Sequence, residues 1–264
     1  MKLGFCFLVY DIINHEDAWQ HFFRGVDPAT YGIYIHYKSN TPLKHFEDRK
    51  LERCVETKYC DVSIVHALNL LFKRAYDDGC YKMITLSGTC IPLKPFDHVF
   101  EFLTKDDFGH FNIAPQDQCF PRCEELLKYY SRDSIQKSSS WFVLNRNICA
   151  SILRDNNMKI DREYSTIYCP EEHYHITHIF ANNLADEIKI TANSADGATT
   201  FTNWQGMNYP YPSDRGLKTY LFVSSEELRH LLKSPSLFGR KFSDQCYGAK
   251  REEYLRSITN NHAV

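Results

Sequence analysis

Met83-Ile84-Thr85-Leu86-Ser87-Gly88-Thr89-Cys90-Ile91-Pro92-Leu93 begins as an apolar run of strand length and turns, after Leu86, into a small polar loop. Upstream, Asp61 precedes a helical pattern through Val62, Val65, Leu68 and Phe72, and Gly79 closes that pattern just before the run. Two further strand-like runs stand before it: Leu3 to Tyr10, continuous and apolar, and Tyr31 to Tyr37, aromatic and β-branched. Between them Ala18, Trp19, Phe22, Phe23 and Val26 recur at helical spacing. Strand and helix alternate, which predicts an α/β fold: a mostly parallel central sheet covered by helices, with ligands bound at the carboxyl ends of the strands. Ser87 to Leu93 falls at such an end and is a candidate site loop, although an ordinary βα connection would read the same way.

Downstream, Ser138 to Leu144 reads as a strand, Ile148 to Leu153 as a helix, and Ile188 to Ile190 and Thr199 to Trp204 as strand-like segments. Ser224 with Glu227 makes a capping-box pattern ahead of Leu228, Leu231 and Leu232. Asn193 to Gly197 reads as a long flexible loop. No repeat interrupts the series. At 264 residues the chain is expected to be one domain, with a first part over about 1–100 and a second over about 101–264.

The 31 basic residues are balanced by 33 acidic ones, so there is no charge excess of the kind that marks a nucleic-acid or acidic-membrane partner; any anion site must be local. The ten cysteines form no CxxC pair and are scattered through apolar runs, as at Cys6, Cys80, Cys90 and Cys149. That pattern predicts reduced, mostly buried thiols and a reducing compartment. No stretch approaches the roughly 20 apolar residues of a membrane-spanning helix, so a soluble, cytoplasmic protein is expected.

Chemistry concentrates in Cys169-Pro170-Glu171-Glu172-His173-Tyr174-His175-Ile176-Thr177. Proline suits the first helical position and acidic residues suit the first turn, which predicts a helix starting near Pro170. On helical spacing Glu172 shares a stripe with Ile176, Ile179 and Phe180, while Glu171 shares a polar one with His175, His178 and Asn182. Glu172 would then border a cleft and serve as a general base. Simple dipole complementation would produce the same pair of glutamates. Glu171, His175 and His178 could alternatively hold zinc, although no H-E-x-x-H motif is present.

Trp204, in a turn-rich segment, offers either a flat face for a sugar ring or a core side chain. Lys218, Arg240 and Lys241 could neutralise phosphates, or be merely solvated. No Asp-x-Asp pair is present to hold a divalent ion; Asp161-Arg162-Glu163 comes nearest.

Taken in order, the segments Trp19-x-x-Phe22-Phe23, Ile33-Tyr34-Ile35-His36, Leu86 to Leu93, Lys137-x-Ser139-x-Trp141-Phe142, Glu172-His173-Tyr174 and Leu237-Phe238-x-Arg240-Lys241-Phe242 resemble the core-2/I-branching β-1,6-N-acetylglucosaminyltransferase family, including its plant and bacterial branches. The resemblance implies a GT-A-like, Rossmann-type fold, a nucleotide-sugar donor (UDP-linked), a carbohydrate or glycoprotein acceptor, inversion at the anomeric carbon and no required metal cofactor. By position it makes Glu172 the catalytic base, Trp204 the acceptor-sugar tryptophan, Lys241 a diphosphate-binding lysine and Lys218 the counterpart of a diphosphate-binding arginine. Tyr59 and Val9 fall where the nucleobase is held. Lys38 stands where some animal members carry an aspartate, and members using xylose or glucuronic acid donors leave the donor sugar open. Unlike Golgi members, the chain is expected to lack a stem and anchor. Two other readings compete: a non-catalytic module that binds carbohydrate or nucleotide sugar, and a metal-dependent hydrolase.

Overall fold

The computed structural model describes residues 1–119, 122–191 and 199–259. Asn193 to Gly197, read above as a flexible loop, lies outside them. In chain order the strands are β1 (Leu3–Val9), β2 (Tyr31–Tyr37), β3 (Lys82–Ser87), β4 (Ile91–Pro92), β5 (Gly109–Asn112), β6 (Val143–Asn145), β7 (Ile188–Thr191), β8 (Thr200–Thr202) and β9 (Phe238–Arg240). The helices are α1 (Glu16–Phe22), α2 (Val62–Asp77), α3 (Phe96–Thr104), α4 (Arg146–Ile152), α5 (Asn157–Tyr164), α6 (Tyr174–Ala181), α7 (Ser225–Lys233) and α8 (Arg251–Ser257).

Six strands form the central sheet in the order β2-β1-β3-β6-β5-β7, and β4, β9 and β8 form a small second sheet. Within the central sheet only β6 runs against its neighbours, so the α/β fold with a mostly parallel sheet is the one observed. The continuous apolar run of β1 has a simple cause. Phe5, Phe7 and Val9 point into one apolar cluster, with Trp19 and Phe22 of α1, whereas Cys6 points into the opposite cluster, with Leu68 and Phe72 of α2. A strand buried on both faces cannot alternate apolar with polar.

Two expectations change in extent. Ser138 to Leu144 was read as one strand, but regular pairing covers only Val143–Asn145, with Ser138 held apart in an isolated bridge to Ile113. Ser224 caps α7 by accepting from the Glu227 amide at 3.1 Å, but the Glu227 carboxylate turns to Lys218, so the pattern is half of a capping box.

Candidate active site

β2 and β3 flank β1 on opposite sides, so the carboxyl ends of β1 and β3 border a switch-point crevice. At that edge Gly88 presses against the β1–α1 connection: a Cβ there would stand 2.2 Å from the Ile12 carbonyl oxygen, and the Gly88 carbonyl accepts from the Asn14 amide at 2.8 Å. Only glycine fits this approach. The loop Ser87 to Leu93 also meets the C-terminal part of the chain. β4 pairs with β9, and the Phe242 amide donates to the Thr89 carbonyl at 3.1 Å, which brings Arg240 and Lys241 to the candidate site loop.

The two cations differ. The Arg240 guanidinium lies 4.0 Å from the centre of the Trp141 ring, and its burial draws its pKa below the ordinary range. Lys241 is half-buried, and desolvation followed by the charge of Arg240 lowers its pKa. Its ammonium has no hydrogen bond or ion pair among the described residues. Lys218, by contrast, holds Glu227 at 2.6 Å and lies 4.8 Å from the Tyr220 ring centre, so its charge is already balanced.

Glu172 sits where Pro170–Glu172 makes a single 3-10 turn, and the α-helix starts only at Tyr174. Cys169 opens the turn in the left-handed region at φ 52°. The Glu172 amide donates to the Cys169 carbonyl at 3.0 Å, and its carbonyl accepts from Ser138 at 2.8 Å. Its side chain is 24% exposed, with Lys137 Nζ at 3.5 Å and an Arg122 nitrogen at 4.0 Å from Oε2. Oε2 is buried and accepts no hydrogen bond.

The reading of the helix faces needs correction, because helical phase counted from Pro170 does not apply through a 3-10 turn. Glu171 does not lie on a solvated face: burial pushes its carboxyl up to about 7, with the neighbouring Glu172 charge adding to the effect. His175 and His178 are also buried. His175 contacts Asn69 at 3.0 Å, while His178 contacts Asp155 at 3.1 Å and Ser151 at 3.0 Å. These contacts take both ring nitrogens of His178 and one of His175, and among the described residues Glu171, His175 and His178 do not form a metal-ligand cluster.

Trp204 is 44% exposed, on a loop where it bridges to Leu217, so it is not a core side chain. Val9 is buried at the end of β1, and Tyr59 is 86% exposed just before the Asp61 cap of α2. Between Tyr59 and that cap, Cys60 is joined to Cys169 by a disulfide, which corrects the expectation that the thiols are all reduced and removes its support for a reducing compartment. The other eight cysteines are free, and all but Cys54 are buried. The disulfide couples the start of α2 to the residue that opens the Glu172 turn, a link across 109 positions that no spacing rule reveals. Arg122 was also missed. Lys137 and Trp141 stood within a quoted motif, but without a role.

Residues 3–231 match the family model described as Core-2/I-Branching enzyme, and the chain belongs to that family. Among curated proteins it is similar to glycosyltransferase BC10 of Oryza sativa subsp. japonica, at 20% identity over 60% of this chain and 41% of the rice protein. The chain thus spans about two fifths of that relative's length. Among solved structures, two of the galactosyltransferase LgtC, one with donor and acceptor sugar analogues and one an active-site mutant, align over 98% of this chain and 97% of theirs. Their identities are 10% and 11% and their TM-scores 0.48 and 0.49. Among the described residues no helix is long and apolar enough to cross a membrane.

Proposed function

We propose that this chain is an inverting glycosyltransferase with a GT-A-like fold, moving a sugar, N-acetylglucosamine first among the candidates, from a UDP-linked donor to a hydroxyl of a carbohydrate or glycoprotein. Family membership supports the reaction class. The observation that carries the reading is the Glu172 carboxylate: Oε2 is buried beside Lys137 and Arg122, while the side chain stays 24% exposed and Oε1 accepts no hydrogen bond among the described residues. A general base needs such an atom within reach of the proton it removes.

In the proposed reaction the acceptor oxygen bonds to the anomeric carbon from the face opposite the diphosphate. The bond from that carbon to the diphosphate oxygen breaks, and the hydroxyl proton passes to Glu172. Negative charge grows on the departing diphosphate, and Lys241, with no partner among the described residues, is the cation proposed to meet it. Arg240 supports this from the buried side against Trp141. Lys218 would join only by releasing Glu227. Trp204 is assigned to the acceptor ring, Tyr59 to the nucleobase face and Val9 to the floor beneath it. No metal is required in this scheme, since fixed cations take the role of a Lewis acid.

The test is to incubate the protein with UDP-N-acetylglucosamine and a panel of acceptors, in excess EDTA and again with manganese restored. UDP release should match a β-linked product identified by NMR and should persist in EDTA. A product retaining the α configuration would overturn inversion, and loss in EDTA with rescue by manganese would overturn metal independence. Donor-induced thermal stabilisation with no UDP release from any donor would establish the binding-module reading instead.

A further inference from the structure

We propose that Cys119, Cys123 and His173 form a binding site for a thiophilic divalent ion, zinc, which the transfer reaction itself does not use. All three residues are buried, and one ligand atom from each lies within 4.8 Å of the other two. Cys119 Sγ stands 4.0 Å from His173 Nδ1, and Cys123 Sγ donates to the Cys119 carbonyl at 3.0 Å. Both thiols are free.

The imidazole supplies the independent observation. His173 Nδ1 lies 3.0 Å from the Gln136 carbonyl oxygen, which can only accept, so Nδ1 carries the proton and Nε2 the lone pair. Nε2 is buried with no hydrogen-bond partner, on a side chain that is 0% exposed. A buried acceptor left unmatched, on a ring whose other nitrogen lies 4.0 Å from Cys119 Sγ, is costly unless something takes its lone pair. A backbone carbonyl holding the other ring nitrogen is also the usual outer support of a metal-bound histidine. Zinc binds thiolate sulfur at about 2.3 Å and imidazole nitrogen at about 2.0–2.1 Å, so with Nδ1 kept on Gln136 the two cysteine side chains would swing their sulfurs towards Nε2 as the ion enters. Two Zn–S bonds and one Zn–N bond form, the two thiol protons leave to solvent, no atom changes oxidation state, and water fills the fourth position.

The site would be structural. It ties the segment carrying Arg122, which lies beside Glu172, to His173, the residue that follows Glu172. It is distinct from the Glu171, His175 and His178 set, in which Asp155 and Ser151 hold both ring nitrogens of His178 and Asn69 holds Nε2 of His175.

The test uses the whole chain purified without chelator. Elemental analysis should find about one zinc per chain, and the cobalt-substituted protein should show a thiolate-to-cobalt charge-transfer band in the near ultraviolet. Replacing Cys119 and Cys123 together by serine should abolish both signals, while Cys60→Ser with Cys169→Ser should keep them. Full metal retention in the Cys119, Cys123 double variant would overturn the site. So would wild-type protein with neither zinc nor a cobalt–thiolate band, a readout that decides alone if the variants fail to fold. Non-reducing mass analysis finding Cys119 bonded to Cys123 would also overturn it.

Discussion

Lys218 Nζ lies 2.6 Å from Glu227 Oε1, inside an ion pair that leaves Glu227 almost wholly buried. The two lysines assigned to the diphosphate are therefore unequal. Lys241→Ala should slow transfer by around 10²-fold with little change in stability, as expected for loss of one electrostatic stabiliser. Lys218→Ala should instead leave a buried carboxylate unpaired and lower stability by about 1–3 kcal/mol. Steady-state kinetics and thermal melts on both variants separate the two effects; equal kinetic losses with unchanged melts would show that Lys218 leaves Glu227 to bind the donor.

Glu172→Gln should reduce kcat by about 10²–10⁴-fold while donor binding, read by thermal shift, persists, because the amide keeps the shape and loses the basic oxygen. Full activity in this variant would remove Glu172 as the base.

Glu171 gives a stability prediction with a definite sign. Its carboxyl titrates near 7 in the folded chain against an ordinary value of 4.5, because burial disfavours the charge. The folded chain therefore holds that proton more tightly than the unfolded chain does. The resulting stabilisation is complete below about pH 4.5 and is lost as pH rises through about 7. Glu171→Gln cannot ionise, so relative to wild type it should melt progressively higher between those limits and stay higher above them. Parallel melting curves for the two proteins from pH 5 to pH 8 would contradict this assignment.

Trp204→Ala should raise the acceptor KM and leave the donor KM nearly unchanged, with a loss of roughly 1–3 kcal/mol in acceptor binding. Since the ring is 44% exposed, the melting temperature should barely move. A collapse of the melt would return the tryptophan to a packing role.

Opening the Cys60–Cys169 bond should lower stability by about 2–5 kcal/mol, given the long loop it closes, and should also lower kcat, since it releases the residue that opens the Glu172 turn. Thiol titration of the unfolded, unreduced protein should find the eight free cysteines and miss these two. Ten reactive thiols would refute the bond.

Local chemistry carried much of the architecture into the sequence. β1 is legible because burial on both faces demands an uninterrupted apolar run, and α2 because Asp61 caps it through the Ser63 amide and its apolar spacing matches one buried side. Glu172 stood out as a candidate for a related reason: proline followed by two acids predicts a helix start, met here by a 3-10 turn ahead of the helix, and the resemblance selected one of the two. The faces were misassigned because the turn at Pro170–Glu172 is 3-10, and the roughly 20° per residue by which it departs from α-helical phase cannot be read from residue types.

By itself, then, the sequence determined the absence of a charge excess, which is a matter of composition, and the alternation of strands and helices, the loop at the end of β3 and the glutamate pair, because each of these depends on neighbours within a few positions. Only the tertiary structure decided that Arg122 and Lys137 approach Glu172, that Lys218 is balanced by Glu227 while Lys241 finds no partner among the described residues, that Cys60 meets Cys169, and that Cys119 and Cys123 converge on His173. Apart from the Lys218 pair, those contacts join residues tens of positions apart, and each depends on how the helices and loops pack over the sheet, where distance in space is uncoupled from distance along the chain.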